Sequence, residues 1–191
     1  MEATLLVLAG GHSRRMGRSK PWIEVGNTVL LRYVVEKLAP AFSEVIVSFS
    51  EPEQMEQHVP YRVVFDRKSN AGPLAGLEAG LLAARNDVIF AVACDMPYVT
   101  RAAAEQAVAA ARTCDAAIPR HEGLFEPVCG AYRKSALPAI VGALDAGNFV
   151  AHDVVQALDV TWLEGLDAAQ FENLNTPADV ERFHAALSAQ R

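Results

Sequence analysis

Two short, almost uninterrupted apolar runs, residues 3–9 (ATLLVLA) and 88–93 (VIFAVA), constrain the fold more than any other feature of the chain. A strand with one face in water alternates apolar and polar residues, whereas a strand covered on both faces does not have to. Both runs are far shorter than the roughly 20 residues a membrane-crossing helix needs. They are read as inner strands of a parallel sheet with helices on both sides.

The rest of the pattern supplies the partners. Residues 28–38 carry Leu30, Leu31, Val34, Val35 and Leu38 on one helical face. Residues 44–48 (EVIVS) and 62–65 (RVVF) read as strands, and Leu74, Leu77 and Leu81 mark another helix. An alanine-rich helix over 102–111 and a strand over 116–119 follow. The order β-α-β-β-α-β-α-β predicts an α/β, mostly parallel, Rossmann-like three-layer sandwich. Farther on, residues 124–132 hold one or two short strands, 136–145 a helix and 160–163 a strand. Thr176 then caps a closing helix with Pro177 at its first position and Val180, Phe183 and Leu187 on its apolar side. A chain of 191 residues fits a single domain spanning 1–191. With 51% apolar and 21% charged residues it can fill a core, and it lacks the balance of a disordered tail.

Several classes fall away on composition. Three cysteines (Cys94, Cys114, Cys129), an odd number without a C-x-x-C pair, argue against a disulfide framework and a zinc site. A formal net charge of −6 argues against general nucleic-acid binding, which needs a basic face. Neither a membrane span nor a basic signal-peptide start is read, so the cytoplasm is expected.

Residues 8–20 (LAGGHSRRMGRSK) carry the most chemistry. They follow the first buried strand, where open α/β sheets place ligand loops. Gly10, Gly11 and Gly17 allow close backbone approach, so amide N–H groups can face phosphate oxygens. Arg14, Arg15, Arg18 and Lys20 add cations to the same loop. The spacing is neither G-x-G-x-x-G nor a Walker loop. Asp95, after the strand 88–93, suits a magnesium ligand beside phosphate oxygens or an N-cap for the next helix, and the sequence leaves both open. Asp66, after the strand 62–65, is a second such carboxylate or a turn residue ahead of Asn70 and Gly72. Cys94 reads as a small buried residue and not as a nucleophile.

The run 8–20 resembles the L-A-G-G-x-S-x-R-M-G-x-x-K signature of Rossmann-like nucleotidyltransferases. With Gly72-Pro73-Leu74-Ala75-Gly76, Cys94-Asp95-Met96-Pro97, Glu126-Pro127 and Asn173-Leu174-Asn175-Thr176-Pro177, the chain resembles the molybdenum cofactor guanylyltransferases. The resemblance implies GTP and molybdopterin as substrates, Mg2+ as cofactor, and transient protein partners in delivery of the product. It puts Leu8, Ala9, Gly10 and Lys20 at the nucleotide, Asp66 at a nucleotide contact, and Asp95 at a contact and magnesium ligand. Ser48 stands where the family often has Asn.

On this reading the Gly10 and Gly11 amides hold the nucleotide, while Lys20 and Arg15 neutralise the transferring and leaving phosphates alongside Asp95 with its magnesium. Asn173 and Asn175 offer amides suited to the pterin ring, or else they serve only the helix cap. The rivals are a CTP-using transferase of the same fold, a non-catalytic nucleotide-binding regulator, and an NAD-dependent oxidoreductase. The last lacks its glycine fingerprint.

Overall fold

The computed structural model describes residues 1–11 and 19–189. In chain order it contains β1 (Thr4–Leu8), β2 (Glu24–Val25), β3 (Thr28–Val29), α1 (Leu30–Leu38), β4 (Glu44–Phe49), β5 (Arg62–Phe65), α2 (Pro73–Ala83) and β6 (Val88–Ala93). There follow α3 (Arg101–Ala110), β7 (Ala116–His121), β8 (Leu124–Phe125), β9 (Cys129–Arg133), α4 (Leu137–Asp145), α5 (Ala151–Gln156), β10 (Val160–Leu163) and α6 (Pro177–Ala189). The main sheet runs β10-β7-β9-β6-β1-β4-β5, with β8 paired to β7. Strand β9 is antiparallel to β6 and β7, β8 is antiparallel to β7, and the remaining pairs of the main sheet are parallel.

The apolar runs sit at the centre for the expected reason. Strand β1 lies between β4 and β6, and all five of its residues are buried. Leu5 and Val7 point into one layer with Val47, Phe49, Phe90 and Val92, covered by Leu31, Val34, Val35 and Leu38 of α1 and by Ala104, Ala107 and Val108 of α3. Leu6 and Leu8 point into the other with Ile46, Ile89 and Ala91, under α2, α4 and α5. Each such side chain contributes about 1.5–3 kcal/mol by leaving water, so Leu6→Ala costs roughly 2–5 kcal/mol. Helix α2 can lie close to β1 because a Cβ on Gly80 would run into the Leu6 side chain.

The structure departs from the sequence reading at three places and resolves one reading that was open. Residues 28–29 form no helix: they pair with β2 in a hairpin around Gly26, whose φ is 60°, and α1 starts at Leu30. Residues 124–132 resolve into two strands, β8 and the start of β9. Helix α5 was not anticipated, being six residues long and without a side-chain N-cap. Single 3-10 turns at Lys20–Trp22, Ala39–Ala41, Pro52–Gln54, Lys134–Ala136 and Ala168–Phe171 were likewise not read. Among the described residues no helix is long and apolar enough to cross a membrane.

Two features set up the site. Because β1, β4, β5 and β6 are parallel, the residues following them emerge at one edge of the sheet. Backbone bonds bind those ends together, from Ala9 N–H to the Ser48 carbonyl (2.8 Å), Cys94 N–H to Leu8 (3.0 Å) and Asp66 N–H to Phe49 (3.1 Å). Helix α6 returns to the same region, where Phe183 packs edge-on against Tyr33 and Tyr98 (5.2 and 5.3 Å between ring centres) beside buried Leu174.

Candidate active site

At that edge lies a cleft of about 250 Å³. Leu8, Ala9, Gly10, Gly11, Lys20, Asp66 and Asp95 all line it, together with Ser48, Ser50, Gly72, Gly76 and Val128. Sequence spacing alone did not bring these segments together; parallel strands ending in register did. Gly10 has no room for a side chain, since a Cβ there would lie 2.7 Å from the Ser50 backbone nitrogen. Gly11 has φ 126°, a conformation that side-chain-bearing residues rarely adopt. Arg15, with His12, Arg14, Gly17 and Arg18, lies outside the described residues.

Lys20 opens the 3-10 turn Lys20–Trp22, which is anchored by Trp22. That indole is buried, stacks on Phe49 at 6.0 Å and donates to the Gln54 carbonyl at 2.7 Å. The Lys20 Nζ then lies 2.5 Å from Asp95 Oδ2 and 2.7 Å from Asn175 Oδ1. The Lys20 and Asp95 side chains are 21% and 12% exposed, so the pair is screened less than a surface salt bridge. Asp95 is not a helix cap: Thr100 caps α3, accepting from the Ala103 amide at 3.2 Å. Its backbone carbonyl instead accepts from Leu174 N–H at 2.9 Å.

Asp66 sits across the cleft from this pair, held by hydroxyls. Ser48 Oγ donates to its Oδ1 at 3.3 Å. Burial pushes the Asp66 carboxyl above the ordinary range, hydrogen bonds from Ser50 and Ser48 pull it back down, and neighbouring Glu78 raises it. The Ser48 hydroxyl thus makes its polar contact with Asp66. Burial also drives the Cys94 thiol far up, which disfavours the nucleophilic thiolate. The sequence reading had not singled out Ser50, Gly76 or Val128 as site residues. A Cβ on Gly76 would come within 2.8 Å of Leu8 Cδ2 and 3.1 Å of Ser48 Oγ, so glycine lets α2 form the cleft wall. The motif containing Gly76 was visible in the sequence, but the contact requiring it was not.

The asparagines divide. Exposed Asn175 is engaged by Lys20, Asn173 is half-buried, and neither is among the residues that line the cleft. The amides of Asn175 and Thr176 both donate to Asp179 Oδ2 (2.8 and 2.7 Å), while Asp179 N–H returns a bond to Thr176 Oγ1 at 3.3 Å. This is a reciprocal cap in which the helix's own aspartate takes the donors that could otherwise have met an anion. Among the described residues no group of three or more His, Cys, Asp or Glu could hold a metal by itself. What exists is a pair of hard oxygens, Asp95 Oδ2 and Asn175 Oδ1, already converging on a cation, the Lys20 ammonium. A carboxylate oxygen such as Asp95 Oδ2 is of the kind a divalent metal ion takes, whereas Asn175 Oδ1 is engaged by Lys20.

Gly10, Gly11, a lysine and two carboxylates at the carboxyl edge of a mostly parallel sheet suit a transferase acting on nucleoside triphosphates, and that is the class of this chain. The chain belongs to a particular family within it, for the MobA-like NTP transferase domain matches residues 5–161. It is 33% identical over 192 residues to a molybdenum cofactor guanylyltransferase of Syntrophotalea carbinolica, covering 93% of this chain and 89% of that one. It is 36% identical over 195 residues to a probable molybdenum cofactor guanylyltransferase of Methanosarcina mazei, covering 92% and 87%. Its fold is similar to the crystal structure of molybdopterin-guanine dinucleotide biosynthesis protein A from Archaeoglobus fulgidus, with a TM-score of 0.85 at 25% identity, covering 97% of this chain and 99% of that chain.

Proposed function

We propose that this chain transfers GMP from GTP to the phosphate of molybdopterin, releasing pyrophosphate and forming the guanine dinucleotide cofactor. The observation that carries the reading is the convergence of Lys20, Asp66 and Asp95 on one cleft, in a chain whose near-full-length relatives are molybdenum cofactor guanylyltransferases. An oxygen of the acceptor phosphate attacks the α-phosphorus. A new P–O bond forms, and the bond from the α-phosphorus to the bridging oxygen breaks. A phosphate monoester is already mostly ionised near neutral pH, so no general base is needed. Catalysis is then a matter of placement and charge.

In this reading the Gly10 and Gly11 amides cradle phosphate oxygens, and Lys20, with Arg15, neutralises charge on the transferring and leaving groups. Asp66 accepts from the N1–H and N2–H₂ donors of guanine, a pair that cytosine lacks. Asp95 would hold magnesium, which when bound offsets charge on the phosphate oxygens. The amide of Asn173, both donor and acceptor, is assigned to the pterin ring. The reaction belongs in the cytoplasm, with the product handed on through transient protein contact.

The test is direct: purified protein, Mg2+ and molybdopterin are incubated with GTP or CTP, and pyrophosphate and the dinucleotide are quantified. Product with GTP alone is expected. Product formed equally from CTP, or no product from either, overturns the reading.

A further inference from the structure

The matched family domain ends at residue 161, yet two of the closest contacts at the cleft come from beyond it. Leu174 N–H donates to the Asp95 carbonyl at 2.9 Å, and Asn175 Oδ1 accepts from the Lys20 ammonium at 2.7 Å. We propose that Asn175 is a positioning residue for Lys20, and that the segment before α6 forms part of the catalytic apparatus. The inference rests on the guanylyltransferase reading only in giving Lys20 its task at the phosphates.

The geometry favours positioning over direct substrate contact. An ammonium has three donors on a flexible four-carbon stem and does not hold one direction unaided. Asp95 fixes one donor and Asn175 another, from segments 80 positions apart in the chain. Asn175 supplies a neutral acceptor, so it orients the lysine without adding negative charge where phosphates must enter. Its own backbone is held from both sides. Asp95 binds the preceding residue, and Asp179 Oδ2 takes the amides of Asn175 and Thr176 at 2.8 and 2.7 Å. Arg182 in turn braces Asp179 at 2.6 Å. A supporting residue whose own position is fixed is what a precisely placed catalytic group requires.

A double-mutant cycle of wild type, Lys20→Ala, Asn175→Ala and the double variant tests this. kcat and the KM of each substrate are measured, and the GTP-induced thermal shift is read in parallel with Mg2+ present. Asn175→Ala should lower kcat about 10-fold, within the range measured for residues in direct contact, and leave the KM for molybdopterin unchanged. In the Lys20→Ala background the same change should have no further effect on kcat or on the thermal shift. An equal loss in both backgrounds would show a role independent of Lys20. A loss confined to the KM for molybdopterin would return Asn175 to the pterin. Either result overturns the proposal. The thermal-shift cycle decides it even if guanylyl transfer itself is absent, so failure of the reaction assignment stays distinguishable.

Discussion

Lys20 and Asp95 stand 75 positions apart in the chain, and their side chains meet at 2.5 Å. Each explains the other's burial, because a carboxylate withdrawn from water needs a cation. Lys20→Ala should lower turnover about 10²-fold, as loss of a transition-state donor does. It also leaves Asp95 without that cation. Magnesium should therefore raise the melting temperature of the variant more than that of the wild type, by pairing the orphaned carboxylate. Equal magnesium shifts in the two proteins, measured by thermal denaturation, would separate the metal from Asp95.

GTP should stabilise the fold against heat more than CTP or ATP at equal concentration with Mg2+, because bound ligand raises stability by mass action. The comparison is made by differential scanning fluorimetry. Equal shifts from GTP and CTP would leave the fold assignment intact and remove Asp66 as the reader of guanine.

Asp66 also predicts a pH dependence. Burial is the largest cause of its raised carboxyl, so the folded protein holds the proton more tightly than the unfolded chain does. Below the unfolded value, about 3.9 for aspartate, the group contributes nothing to the pH dependence of stability. As pH rises from there through the folded value, the empty protein loses stability. On the proposed reading, guanine recognition nevertheless needs the ionised form. Binding of guanosine, which has no phosphates of its own to titrate, should thus weaken on acidification at a pH above the ordinary aspartate range. Asp66→Asn should abolish that acid limb and slightly stabilise the empty protein. An unchanged limb in the variant, followed by calorimetry across pH, assigns it to another group.

Gly10→Ala should be costly both to folding and to binding. The added methyl would meet the Ser50 backbone nitrogen, which cannot swing aside as a side chain can. Overpacking of this kind costs roughly 1–3 kcal/mol. Chemical denaturation should show that loss, and the GTP-induced shift should fall with it. A variant of wild-type stability would mean that the strand ends separate more freely than their backbone bonds indicate.

How much of this was legible beforehand varies by element. The strands Thr4–Leu8 and Val88–Ala93 announced themselves because burial on both faces removes the need for polar residues. The candidate sites after these strands and after Arg62–Phe65 followed from parallel topology, which puts Gly10, Asp66 and Asp95 on one edge. The hairpin of Glu24–Val25 with Thr28–Val29 was illegible, since two-residue strands carry too few residues for any period to show. The reversed direction of Cys129–Arg133 was also hidden, because it is set by pairing with strands on either side and not by its own residues. The bond between Lys20 and Asn175 spans 155 positions, and no local pattern encodes such a contact. Both residues stand out in the sequence, but there Asn175 reads as a pterin contact or part of the helix cap, and neither reading points to the lysine.

The packing of Trp22 gives the protein an optical reporter of its own. The chain has two tryptophans, Trp22 and Trp162. The first is two residues from Lys20, shielded from water and stacked on Phe49, whose neighbours Ser48 and Ser50 line the cleft. The second is in β10, at the far edge of the sheet. Filling the cleft should therefore perturb the emission of Trp22 more than that of Trp162, and Trp22→Phe supplies the matched blank. Substrate arrival can be followed by intrinsic fluorescence on the unlabelled protein, in real time and before any bond has changed.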